Sequence, residues 1–98
     1  MITIDKKALA DFCRKRHLKK LSLFGSAVRA DFQPQSDLDL LVEFEPGHTP
    51  GLAFFTLSDD LSAFFRRKVD LNTPRSLSPY FRVQVLSESE TLYDASRP

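Results

Sequence analysis

Asp37-Leu38-Asp39-Leu40-Leu41-Val42-Glu43-Phe44 constrains this chain more than any other stretch. Its apolar residues are dense enough for a buried strand over Leu38–Phe44, yet two acids stand at its head. Side chains alternate along a strand, so Asp37 and Asp39 share one face while Leu38 and Leu40 enter the opposite layer. Neighbouring carboxylates raise each other's pKa and cost free energy unless a cation lies between them. Two of them heading the most apolar strand are therefore read as metal ligands. The hard ion Mg²⁺ fits, because it takes one or two protein carboxylates and completes its shell with water and phosphate oxygens. A phosphate-bearing ligand opposite this strand is implied.

Two further features belong with that pair. In Lys68-Val69-Asp70-Leu71-Asn72 an acid is flanked by apolar residues, so a strand there buries Val69 and Leu71 and turns Asp70 toward the same metal face. Leu21-Ser22-Leu23-Phe24 is a short strand that closes at Gly25-Ser26. Glycine lets the backbone approach a ligand closely, and a helical turn opening at Ser26 aims free N–H groups at phosphate. Taken singly, an acid can be a strand end dipping into solvent and a serine after glycine an ordinary cap. Strand, Gly-Ser turn, paired acids and a third acid in sequence make a phosphate and metal seat.

The remaining pattern is an α/β protein, a small mixed β-sheet flanked by helices. Ile4, Ala8, Leu9, Phe12 and Cys13 recur at helical spacing and predict an amphipathic helix over about 5–19. A helical turn or two is expected over 26–31, and Gln33-Pro34-Gln35-Ser36 breaks the chain. Two prolines and two glycines make 45–51 a loop. Leu52, Phe55, Leu57, Leu61, Phe64 and Phe65 predict a second helix over about 52–66, and Ser78-Pro79 caps a third through about 86. Thr91-Leu92-Tyr93 is an edge strand or a tail.

With 98 residues, 42% hydrophobic content and nine Phe, the chain can build one core, and 1–98 is expected to be a single domain. So small a domain has little room to hold a bulky acceptor, which another molecule must then present. No apolar run approaches the roughly 20 residues of a membrane span, and the first residues lack a secretory leader's basic start. A cytoplasmic protein is expected, with no membrane partner. Cys13, the single cysteine, falls on the helix's apolar side and reads as a small buried hydrophobe. Seven of the fourteen cations lie in the first twenty residues, against Asp5 and Asp11 alone. They read as the solvated side of a helix; with a net charge of only +1, direct nucleic-acid binding is not expected.

The spacing of these motifs resembles a known family. Gly25-Ser26, ten intervening residues and Asp37-x-Asp39 match the signature of the DNA polymerase beta-like nucleotidyltransferases, specifically their minimal stand-alone branch. Phe24-Gly25-Ser26-Ala27-Val28-Arg29, Ser36-Asp37-Leu38-Asp39-Leu40-Leu41-Val42-Glu43-Phe44 and Lys68-Val69-Asp70-Leu71 are similar to family segments in family order. Many relatives carry Ala and Gly on either side of the arginine, where this chain has Val28 and Ala30.

The resemblance implies a polymerase beta-like core in which Asp37 and Asp39 hold two Mg²⁺ ions that clamp ATP. Asp70 would share one metal and help deprotonate the incoming hydroxyl. Gly25 and Ser26 would hold the outer phosphates, and Arg29, a turn further on, would reach a phosphate or else pair with Asp31. His48 is a loop residue that reads first as solvated and secondly as able to brush the base, and His17 has no role. Minimal members resemble antitoxins that transfer AMP from ATP to a tyrosine of a helical RNase-like (HEPN) toxin, so a toxin partner and self- or hetero-association are implied. The alternatives are a catalytically silent antitoxin that covers its partner, and an enzyme adding nucleotides to RNA.

Overall fold

In the computed structural model the described residues are 4–28, 36–48 and 50–96. Helix α1, Lys6–Lys15, begins at Asp5, whose carboxylate accepts the Ala8 N–H at 3.1 Å, and it ends on Arg14 and Lys15, which suit the negative end of the helix dipole. The chain then turns through His17 at φ 58° into strand β1, Leu18–Phe24. The helix is thus shorter than expected and the strand longer: Lys19, expected at the helix end, and Lys20, counted with the helix cations, lie on β1. Sheet pairing overrides the local pattern here, because Leu18 is fully buried opposite Phe44. The cations therefore do not form one helical face.

Gly25–Val28 forms a 3-10 turn after β1. Strand β2, Leu38–Phe44, pairs antiparallel with β1. It pairs in parallel with β3, Val69–Asn72, a relation that demands a crossover, supplied by helix α2, Ala53–Phe65. Helix α3, Pro79–Glu88, starts at Ser78, whose hydroxyl accepts the Phe81 N–H. Strand β4, Glu90–Asp94, pairs antiparallel with β1, so the stretch around Thr91 is an edge strand rather than a tail. The sheet order is β3-β2-β1-β4, the small mixed sheet expected.

The two faces of this sheet are unequal. On one, Leu9 and Cys13 of α1 and Leu57 and Leu61 of α2 close over Leu21, Leu23, Leu38, Leu40, Val42, Val69 and Leu71. On the other, a smaller cluster joins Phe24 and Leu41 to Leu77 and Val85. Leu41 alternates in step with Asp39, so the carboxylates leave the sheet on this second, sparsely covered side. Leu52 and Phe55, expected in the apolar stripe of α2, are exposed instead: Leu52 is the residue before the helix, and in its first turn Phe54, not Phe55, packs against the core. No helix among the described residues is long and apolar enough to cross a membrane.

Candidate active site

Strand pairing brings the motifs together. Phe24 is the register partner of Asp39 across the antiparallel β1–β2 ladder, and Asp70 is its partner across the parallel β2–β3 ladder. Asp39 is therefore held between the end of β1 and the third acid. The register of β3 is secured from behind: the Val69 N–H donates to Ser62 Oγ of α2 at 3.0 Å, and the Leu38 N–H donates to the Lys68 carbonyl at 2.9 Å.

Gly25 has φ +70°, a backbone region that side chains with a Cβ rarely adopt. A Cβ built on it would lie 2.2 Å from Asp39 Oδ2 and 3.1 Å from Asp39 Cγ. The Asp39 carboxylate thus occupies the space a side chain at Gly25 would need. Ser26 follows in the first turn, half-buried. Arg29 and its alternative partner Asp31 lie outside the described residues.

Electrostatically the site carries excess negative charge. The carboxyl of Asp39 is raised above its ordinary value, first by burial, then by the charges of Asp70 and Asp37, and by a hydrogen bond with the Asp70 side chain. Asp37, more exposed, forms a 3.9 Å ion pair between its Oδ2 and Lys68 Nζ. Among the described residues, no three His, Cys, Asp or Glu side chains already form a ready-made cation set. Crowded carboxylates are nonetheless the donors a hard divalent ion requires, and such an ion would offset the charge that raises the Asp39 carboxyl.

Sequence reasoning assigned Lys68 to a strand without seeing its pairing with Asp37. The clue was its position two residues before Asp70, at the entry to β3. His48 is an exposed loop residue, as its favoured reading has it. His48 stacks on His17, with ring centroids 4.0 Å apart and planes 16° apart. This stack sits where β1 begins and β2 ends, at the opposite end of the ladder from Asp39, so His48 is not beside the candidate nucleotide seat. Cys13 is buried and its thiol is pushed up to about 12 by desolvation, in keeping with a packing role.

A family model described as Polymerase beta, Nucleotidyltransferase matches residues 7–98. The protein adenylyltransferase MntA of Thermococcus cleftensis is 34% identical over 89 residues, covering 90% of this chain and 85% of that protein. Among solved structures, a toxin-antitoxin crystal structure with AMP-PNP gives a TM-score of 0.74 at 23% identity, over 96% of this chain and 77% of the other. A structure of a tri-AMPylated Shewanella oneidensis HEPN toxin in complex with MNT antitoxin gives 0.65 at 22% identity, over 94% of this chain and 71% of the other. At these identities the two structures establish a shared fold.

Proposed function

This chain belongs to the polymerase beta nucleotidyltransferase family, and we propose that it is an antitoxin that transfers AMP from ATP to a tyrosine hydroxyl of a HEPN-type toxin. The observation that carries this reading is the register of Asp39 with Asp70, beside a glycine turn that the Asp39 carboxylate touches. A protein that merely covered its partner would have no use for a third carboxylate in register. The resemblance to a protein adenylyltransferase, and to a fold found in complexes with AMP-PNP and with an AMPylated toxin, supports the donor and the class of acceptor.

In this reading Asp37, Asp39 and Asp70 would hold two Mg²⁺ ions, which would supply charge stabilisation for an in-line displacement. The Gly25 N–H and the Ser26 hydroxyl hold the outer phosphates. Asp70, the exposed acid of β3, would accept the proton of the acceptor hydroxyl. The acceptor oxygen bonds to the α-phosphorus as the α–β phosphoanhydride breaks, and pyrophosphate leaves.

Incubation with labelled ATP, Mg²⁺ and a co-purified partner tests the proposal. The expected result is label on the partner, reduced about a thousandfold by Asp39→Asn if one ligand contributes ~4 kcal/mol to the transition state. Near-normal transfer by Asp39→Asn would overturn it. An RNA-adding enzyme would instead label RNA, with binding that weakens steeply as salt rises.

A further inference from the structure

Lys68 is the neighbour of the carboxylate site that the proposed reaction leaves unexplained. Its carbonyl accepts the Leu38 N–H, and it and Asp37 are the residues just before the first pair of the β2–β3 ladder, Leu38 with Val69. Its side chain turns toward the acids rather than the core. The ammonium reaches Asp37 Oδ2 at 3.9 Å while the lysine side chain remains 81% exposed. So exposed a pair contributes little to stability. Its consequence is electrostatic: one of the three acids starts out engaged by a cation, and a positive charge stands at the mouth of the site.

We propose that Lys68 is a positioning residue that occupies Asp37 until a divalent ion arrives together with nucleotide, making metal binding depend on the triphosphate. The inference rests on reading Asp37, Asp39 and Asp70 as metal ligands. A bare divalent ion must displace the ammonium and remain beside its like charge, which weakens binding. The triphosphate brings negative charge that favours the ion and offers the freed ammonium new partners. Coupling of this kind is reciprocal, so metal must strengthen nucleotide binding by the same factor.

Mn²⁺ binding, followed by electron paramagnetic resonance with and without AMP-PNP, provides the test in the wild type, Lys68→Met and Lys68→Arg. Without nucleotide, Lys68→Met should bind Mn²⁺ roughly three- to tenfold more tightly, as expected for removing one like charge several ångströms from a divalent ion at a solvated site. The tightening produced by AMP-PNP should shrink by a similar factor, and added salt should narrow the gap between variants. Lys68→Arg keeps the charge and should match the wild type. Equal or weaker Mn²⁺ binding by Lys68→Met, with binding retained in the wild type, would overturn the role of Lys68 alone. If the wild type binds no Mn²⁺ even with AMP-PNP, both this role and the metal-ligand reading fail. A lysine this exposed leaves the core untouched, and matching melting curves confirm that each variant is folded.

Discussion

Gly25 and Asp39 share one volume: the Cβ that Gly25 lacks would stand 2.2 Å from Asp39 Oδ2. The glycine is therefore required twice, by its left-handed backbone and by the carboxylate against it. Gly25→Ala should destabilise the fold by roughly 1–2 kcal/mol from the backbone alone. It should also displace Asp39 and lower nucleotidyl transfer by two orders of magnitude or more, as positional errors of about 1 Å do. Melting temperature and labelled transfer, measured on the same preparation, check both parts. Wild-type turnover by Gly25→Ala would refute the packing of Asp39 on this turn.

The raised carboxyl of Asp39 makes a prediction about stability without metal. The folded state binds this proton more tightly than the unfolded chain does, so its contribution is present at low pH. That contribution is lost as pH rises from the ordinary value of 3.8 through the raised one. At neutral pH Asp39→Asn removes the penalty of the charged form. With about 0.5 kcal/mol assumed after discounting for partial exposure, the metal-free melting temperature should rise by about 2–4 °C. The gain should vanish on acidification, when the wild-type carboxyl is protonated as well. A variant that is less stable at pH 7 and unaffected by acid would contradict the crowded-carboxylate description.

Cys13 should behave as core. Fully buried, with its thiol pushed up to about 12, it is shielded from reagents and scarcely forms thiolate at neutral pH. Ellman's reagent should modify it only after denaturant unfolds the chain. Rapid labelling of the native protein would show that α1 is not docked as described.

Leu61 and Phe55 lie on one helix and should respond oppositely. Leu61 is fully buried in the larger cluster, and Leu61→Ala should cost about 2–5 kcal/mol in denaturant unfolding. Phe55 is 68% exposed, and Phe55→Ser should change stability by no more than about 0.5 kcal/mol. Equal losses would mean that the apolar stripe of α2 is longer than the structure shows.

Much of the candidate site's arrangement is legible in the sequence, because strand faces are written in short-range patterns. Alternation in Asp37-Leu38-Asp39-Leu40 and Val69-Asp70-Leu71 assigns each acid to a strand face. The caps at Asp5 and Ser78 likewise act within three residues of themselves. Local pattern failed at Lys19 and Lys20, which suit a solvated helix and an exposed strand position equally well. Only the burial of Leu18 against β2 decides between the two.

The sequence by itself determined which residue types face the site and the order in which they arrive: a glycine turn, paired acids and a third acid. Tertiary structure alone decided that Asp39 meets both Phe24 and Asp70, that its carboxylate fills the space beside Gly25, that Lys68 reaches Asp37, and that His48 stacks on His17 away from the site. The physical reason is range. Side-chain alternation and capping are set by neighbours along the chain, whereas strand register is chosen by which pairing buries the most apolar surface across the whole sheet.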